Sequence, residues 1–178
     1  MPRMEVLLNM AQEAGFTHAC PLRIDTVELK QEVRQMCAEN TCGRYGRNWS
    51  CPPACGELED LRAQVAAFGC GLLVQTVGDV EDSFDFEAMM EIEQRHKENM
   101  ERLQAQLLPL GVPVLCLGAG SCTLCKICTY PDAPCRFPDK LYPSLEGYGI
   151  LVTELAKKAG LNYNGGANTV SYFGMLCF

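Results

Sequence analysis

The sequence predicts an α/β protein in which a single mixed or parallel sheet is flanked by helices and two loops are rich in cysteine. Two observations predict this class. Segments with helical periodicity alternate with short apolar segments of strand character, and glycine and proline separate them. Strands that alternate with helices usually assemble into one sheet covered by helices. With 178 residues, the chain is expected to form a single domain, 1–178.

The predicted helices combine an apolar stripe with a recognisable end. In the first, Val6 and Met10 share a face, and Gly15 supplies the stop. In the longest, Ser83 is the expected N-cap and Pro109 ends the helix. The predicted helices cover residues 4–14, 27–38, 57–68, 83–108 and 144–160.

Four short apolar segments are predicted as strands. The clearest is 70–77, which reads Cys-Gly-Leu-Leu-Val-Gln-Thr-Val and has the composition of a buried strand. Gly165 and Gly166 form a turn before the last strand. The predicted strands cover residues 16–22, 70–77, 112–117 and 169–178.

Charge and hydropathy restrict the partners and the location. A net charge of −7 argues against nucleic acid as a partner, because binding phosphates requires a basic surface. No apolar segment approaches the roughly 20 residues that a membrane span requires. The first residues lead into an amphipathic segment rather than a signal peptide. The protein is therefore expected in the cytoplasm.

Twelve cysteines in 178 residues are the most unusual feature of the composition. Because cytosolic thiols stay reduced, disulfides are not expected. Cysteines in a reducing compartment usually bind metal, take part in catalysis or pack as small apolar residues. Eight of them fall in two irregular stretches, which we call the first cysteine segment (37–56) and the second cysteine segment (118–143).

The second cysteine segment carries the stronger metal-binding signal. Cys122, Cys125 and Cys128 follow one another at intervals of three, as in the Cys-x2-Cys-x2-Cys run of bacterial ferredoxins. Such spacing lets one loop supply three corners of a [4Fe–4S] cubane. Cys135 is the expected fourth ligand, although six residues rather than three separate it from Cys128. Zinc is the alternative, but it usually takes two separated Cys-x2-Cys pairs.

The first cysteine segment has an irregular spacing. Four cysteines occur within nineteen residues of a loop rich in glycine and proline, which core packing does not explain. Metal binding by this set is the prediction, with Cys37, at the end of a predicted helix, as its weakest member. The set comprises Cys37, Cys42, Cys51 and Cys55.

Three motifs together resemble a family of predicted metal-binding proteins found mainly in anaerobic bacteria and archaea. The resemblance extends from about Cys20 to the end of the chain, and it implies iron–sulfur binding and an anaerobic host but no particular reaction. The motifs are Cys42-Gly-Arg-Tyr-Gly-Arg-Asn-Trp-Ser-Cys51-Pro-Pro, Ala119-Gly120-Ser121-Cys122-x2-Cys125-x2-Cys128-x6-Cys135-Arg136-x-Pro138, and Pro143-Ser144-Leu145-Glu146-x2-Gly149.

The remaining residues exclude other chemistry or carry no clear signal. The two histidines, His18 and His96, are too few for most histidine-based metal sites, and His96 is predicted at the edge of the core. No phosphate-binding or dinucleotide-binding loop is present. Three cysteines in strand-like surroundings are predicted as small apolar residues, and the role of Cys177 stays open. Those three are Cys20, Cys70 and Cys116.

The sequence therefore predicts an iron–sulfur protein with two [4Fe–4S] clusters that exchanges electrons with a redox partner protein. One alternative is a reductase whose exposed or open-site cluster binds a small substrate. Another is a zinc-stabilised binding module without redox chemistry. A larger cluster fused from both sets also stays open. The predicted ligands are Cys37, Cys42, Cys51 and Cys55 for one cluster and Cys122, Cys125, Cys128 and Cys135 for the other.

Overall fold

A computed structural model describes residues 2–178 and contains one four-stranded sheet with five α-helices. The strands lie in the order β1-β2-β4-β3. They are β1 (His18–Leu22), β2 (Gly71–Asp79), β3 (Leu115–Leu117) and β4 (Thr169–Cys177). The helices are α1 (Met4–Ala14), α2 (Gln31–Ala38), α3 (Leu58–Ala66), α4 (Phe86–Leu107) and α5 (Val152–Lys158).

The sheet is antiparallel throughout, where the sequence predicted a mixed or parallel one. The pairs β1–β2, β2–β4 and β3–β4 all run antiparallel. The connection β2–α4–β3 has the order of a parallel crossover, and β2 and β3 do run in the same direction. They are not neighbours, however, because β4, the last strand of the chain, lies between them. A strand that begins 52 residues after the end of β3 thus separates β2 from β3, and local sequence patterns do not reveal such an insertion.

Apolar side chains cover both faces of the sheet, so the fold has three layers. On one face α1 and α4 pack against alternate residues of the central strands, such as Leu72, Val74 and Leu176. On the other face α3, α5 and the turn around Tyr148 cover the intervening residues, such as Leu73 and Met175. The register pairs Leu72 with Leu176 and Leu73 with Met175, which places each set on its own face.

Most predicted elements are present, with shifted ends. The α1 bounds coincide with the prediction, and Gly15 ends the helix with a φ of 101°. In α4 the N-cap is Asp85 rather than Ser83, and its carboxylate accepts a hydrogen bond from the Ala88 N–H at 3.1 Å. The predicted helix 144–160 is divided. A 3-10 turn, Glu146–Tyr148, is followed by Gly149 with a φ of 77° before α5 begins.

The two cysteine segments meet near the end of β3. The Gly118 N–H donates to the Pro143 carbonyl at 2.9 Å, which closes the second cysteine segment into a loop. The Ser144 N–H donates to the Ser50 carbonyl at 2.9 Å, which attaches that loop to the first cysteine segment. The fold thus brings together two segments that are far apart in sequence. Within residues 2–178 no helix is both long and apolar enough to cross a membrane.

Candidate metal centre

All four cysteines of the second cysteine segment line one small cavity. The segment has little regular structure, so its backbone can wrap around a central space. All four side chains are half-buried. The cavity is also lined by Leu124, Phe137 and two residues of the first cysteine segment, Asn48 and Trp49. Its cysteines are Cys122, Cys125, Cys128 and Cys135.

The surroundings of this cavity act on the charge of its sulfur atoms in opposite directions. The Phe137 N–H donates to the Cys135 Sγ at 3.4 Å, and an amide directed at sulfur stabilises a thiolate. Burial raises the pKa of the Cys122 thiol, as do the neighbouring Cys135 and Cys128, and the Lys97 ammonium acts in the opposite direction. A metal bound at this site would displace the proton of a half-buried thiol, because cysteine binds metal as a thiolate.

Trp49 reaches from the first cysteine segment across the second one. Its indole N–H lies 3.3 Å from the Thr129 hydroxyl and 3.2 Å from the Ala133 carbonyl, and both oxygens can accept from it. Its ring meets the Tyr130 ring edge-on at a centroid distance of 4.9 Å. The indole therefore forms a wall of the cavity and excludes water from that side.

The cysteines of the first cysteine segment lie around the turn 144–149. Cys37 ends α2, and its thiol donates to the Glu146 carbonyl at 3.7 Å. The Cys55 thiol donates to the Gly147 carbonyl at 3.4 Å. Cys51 is buried, whereas Cys42 is exposed. Three of the four predicted ligands are thus held against one turn or inside the loop, whereas Cys42 lies on the solvent side.

Arg34, on α2, connects the first cysteine segment to the turn 144–149 through hydrogen bonds. Its guanidinium donates to the Gly147 carbonyl at 2.7 Å, to the Gly56 carbonyl at 3.0 Å and to the Cys55 Sγ at 3.4 Å. The cation therefore fixes the loop and the turn while it faces a sulfur atom. An arginine suits this position because its planar donors reach several acceptors at once.

Burial governs the protonation of the first set. It raises the pKa of Cys37 to about 11, and the nearby Glu146 carboxylate adds to the shift. Burial also raises the pKa values of Cys51 and Cys55, which the Ser50 hydroxyl and the Arg34 guanidinium oppose. Glu146 itself has a pKa raised by burial. Without a bound cation, the thiols of Cys37, Cys51 and Cys55 are therefore protonated at pH 7.

A buried hydrogen-bond bridge connects the two sets. The Ser50 hydroxyl accepts from the Cys122 N–H at 2.8 Å, donates to the Asn48 Oδ1 at 2.8 Å and lies 3.6 Å from the Cys51 Sγ. The Asn48 side-chain amide donates to the Cys122 carbonyl at 3.0 Å. Both Asn48 and Ser50 are buried. One residue thus touches a predicted ligand of each centre.

The donor chemistry fits a metal centre, although the thiols do not converge on a point. Within residues 2–178 no group of three or more His, Cys, Asp or Glu side chains is close enough to hold a single metal ion. In the second cysteine segment the four thiols instead surround a space. Four thiolates are the donor set of iron–sulfur clusters and of structural zinc sites, so the residues present fit either group.

The other four cysteines lie in the sheet or beside it. Burial alone raises the pKa of Cys116 to about 12, and that of Cys177 rises equally. Cys177 is buried in the β4 core and Cys20 packs against that core on β1, while Cys70 packs against the opposite cluster. This placement agrees with the prediction that Cys20, Cys70 and Cys116 pack as small apolar residues. Cys177, whose role was left open, packs in the same way.

Sequence reasoning overlooked several polar residues of the site. Arg34, Asn48 and Ser50 contact cysteines, and Lys97 bonds to Ser121 and Thr123 on either side of Cys122. None of the four has a metal-ligand spacing of its own. For Asn48 and Ser50 a signal existed, since both stand inside the quoted motif that ends in Cys51-Pro-Pro. For Arg34 and Lys97 no local signal existed, because each reaches the site only through the tertiary fold.

A second cavity adjoins the first. It has a volume of about 230 Å³ and lies between α4 and the loop after β3. Cys122 and Leu124 line both cavities. Its charged lining residues are Lys97, Glu101 and Lys140, and Lys97 is already bound to Glu93 at 2.5 Å. A small molecule bound there would lie directly beside a predicted cluster ligand.

Comparison with known proteins gives one match. The model of a family described as predicted metal-binding protein (DUF2284) matches residues 20–178. The matched region includes all eight cysteines of the two segments. No curated protein and no solved structure matches the chain.

Proposed function

This chain belongs to the DUF2284 family of predicted metal-binding proteins, and we propose that its metal centres are two [4Fe–4S] clusters used for electron transfer with a redox partner. The observation that carries the proposal is the cavity lined by Cys122, Cys125, Cys128 and Cys135. Three of these cysteines have ferredoxin-like spacing, and the fourth comes from the far side of the same loop. When bound, such clusters supply one-electron transfer.

The first cysteine segment would hold the other cluster through Cys37, Cys42, Cys51 and Cys55. Arg34 supports this assignment, because its cation faces Cys55 and would offset negative charge on a thiolate-bound centre. The bridge through Ser50 supports coupling between the two centres, because it links Cys51 to Cys122 through two short contacts.

The test is the iron and acid-labile sulfide content of protein purified without oxygen, with EPR spectra after reduction by dithionite. About eight iron and eight sulfide per chain, with signals of reduced cubanes, are expected. Cys125→Ser and Cys51→Ser should each reduce the iron content to about four per chain. Cys20→Ala is the matched control and should leave it unchanged.

Three results would count against the proposal. Zinc without sulfide would favour the binding module, in which metal only shapes the fold. Iron loss that is equal in Cys20→Ala and Cys125→Ser would show that the variants act through misfolding rather than ligation. About four iron in the native chain, unaffected by Cys51→Ser, would leave the first cysteine segment without a cluster.

The cavity beside Cys122 favours a second candidate, a reductase that acts on a small substrate. Its volume of about 230 Å³ is below the usual size of pockets for drug-sized ligands. Substrate reduction would require the cavity to be open, so Ala119→Trp, which fills it, should abolish turnover of any substrate. Electron exchange with a partner protein should survive the same substitution.

A further inference from the structure

Apolar side chains are exposed beside the cavity of the second cysteine segment. Leu124, Ile127 and Phe137 are 39%, 77% and 45% exposed. Leu124 and Phe137 also line that cavity, so they reach both the cysteines and the solvent. An exposed apolar group at this location is typical of the centre of a contact surface.

Two cations lie at the edge of this apolar group. Lys126 is adjacent to Ile127 in the chain, and the Arg136 guanidinium donates to the Ile127 carbonyl at 3.0 Å. Both are exposed, and neither forms an ion pair with any of residues 2–178. We define the docking face as Leu124, Lys126, Ile127, Arg136 and Phe137.

The charge of the cysteine segments differs in sign from that of the rest of the chain. Residues 37–56 and 118–143 contain five basic and three acidic residues, whereas the remainder contains ten basic and nineteen acidic ones. A cluster adds negative charge at the cysteines, but those side chains are half-buried, whereas Lys126 and Arg136 are exposed. The docking face therefore presents cations in a molecule that is acidic overall.

From this arrangement we infer that the docking face binds a small acidic electron-carrier protein. The inference rests on the proposed function. An apolar centre with a charged rim is the usual composition of a specific interface, and complementary charge accelerates encounter. Each encounter moves one electron between the carrier and the centre, and neither protein gains or loses an atom. The acidic body of the chain, by contrast, repels an acidic carrier and so restricts its approach to this face.

The test uses the loaded protein and two probes of opposite charge, an acidic two-cluster ferredoxin and a basic c-type cytochrome. Stopped-flow absorbance gives two second-order rates at increasing sodium chloride, that of electron transfer from the reduced ferredoxin to the loaded protein and that from the reduced loaded protein to the oxidised cytochrome. The rate for the ferredoxin should fall as salt rises, because screening removes the attraction. Lys126→Glu should reduce that rate about tenfold at low salt and Ile127→Ser several-fold.

Lys157→Glu provides the matched control. Lys157 is exposed on α5, forms no ion pair with residues 2–178 and lies outside both cysteine segments. This variant should keep the native rate within about twofold. Lys126→Glu is preferred over a change of Arg136 because the Arg136 side chain also holds the loop. Iron content, measured for every variant, shows whether its cluster is retained.

The outcomes separate the docking inference from the proposed function. Native iron content with a rate that is flat or rises with salt would overturn the docking face alone. A cytochrome rate that Lys126→Glu lowers as much as it lowers the ferredoxin rate would do the same. A salt-sensitive dimer, detected by light scattering and abolished by Lys126→Glu, would identify a second copy of the chain as the occupant. Absence of iron and sulfide in the native protein would overturn the proposed function instead.

Discussion

At the scale of single residues, Ser50 forms hydrogen bonds with both cysteine segments. Its hydroxyl accepts from the Cys122 N–H and donates to the Asn48 side chain in a fully buried position. Ser50→Ala leaves the Cys122 N–H without its acceptor, and the Asn48 Oδ1 then accepts only from the Ser50 backbone N–H. We expect a loss of about 1–3 kcal/mol in the free energy of unfolding, measured with urea on the loaded protein.

Ser83→Ala is the control for that substitution, because Ser83 is exposed and caps no helix. Its free energy of unfolding should remain within about 0.5 kcal/mol of the native value. Equal losses in the two variants would show that the Ser50 bridge does not contribute to the free energy of unfolding.

Arg34 is expected to set the reduction potential of the first centre. Its guanidinium faces the Cys55 Sγ, and a nearby cation favours the more negative, reduced state. Arg34→Gln should therefore lower the midpoint potential by about 60 mV, which corresponds to about 1.4 kcal/mol for one electron. Redox titration monitored by EPR gives this value.

Arg62→Gln separates charge from structure in that experiment. Arg62 also holds a backbone carbonyl, that of Leu29 at 2.8 Å, but it contacts no cysteine. The Arg62→Gln variant should be less stable than the native protein but should keep the native midpoint potential. A potential that shifts equally in both variants would show that Arg34 acts through the fold and not through its charge.

At the scale of elements, Gly149 determines the turn that supports the first set. Its φ is 77°, and an added Cβ would lie 2.8 Å from the Lys30 carbonyl oxygen and 3.0 Å from the Lys30 nitrogen. Gly160 has almost the same φ, 76°, but nothing lies within 4 Å of its added Cβ. Gly149→Ala should thus cost at least about 2 kcal/mol more than Gly160→Ala in urea unfolding, since backbone atoms cannot move aside cheaply. Similar costs would mean that the turn can shift away from Lys30.

The packing of α4 on the sheet predicts a pH dependence. His96 is fully buried with its Nδ1 2.9 Å from the Thr76 hydroxyl, and burial lowers its pKa to about 4. Because the unfolded chain binds this proton near pH 6.5, stability present above that pH is lost as the pH falls toward 4. The loss is about 3 kcal/mol by the linkage relation.

His96→Gln isolates this effect, because glutamine can still bond to Thr76 but does not titrate. Urea unfolding at several pH values between 7 and 4 should give a shallower decline for the variant than for the native protein. Parallel declines would assign the pH dependence to other groups.

The positions of helices and strands along the chain were predicted from the sequence more accurately than their arrangement in space. The stripe of α1 and its glycine stop fixed both ends of that helix, because these signals are local. The break at Gly149 was missed, because Ile150, Leu151 and Leu155 continue a helical spacing across it. The ferredoxin-like spacing located the second set. The contribution of Asn48 and Trp49 to its cavity depends on tertiary contacts that no spacing encodes.

At the scale of the whole molecule, the α/β core is expected to stay folded when metal is removed, whereas the cysteine segments are expected to unfold. The core is held by two apolar clusters on the sheet, whereas the segments contain little regular structure. After chelation, amides of residues 37–56 and 118–143 should exchange hydrogen rapidly, while β2 and β4 stay protected. Hydrogen-exchange mass spectrometry measures both. Simultaneous loss of protection in β2 and β4 would mean that the metal holds the entire fold.

The contact of Trp49 with the second cysteine segment also bears on how the protein is made in the cell. Ser50 precedes Cys122 by 72 residues, so a ribosome releases the first segment well before its partner exists. The indole can reach Thr129 and Ala133 as soon as the second cysteine segment has been made. Cys37 and Cys55, by contrast, bond to Glu146 and Gly147, which are synthesised later. The surroundings of the second set are therefore complete before those of the first, and cofactor delivery is expected in that order.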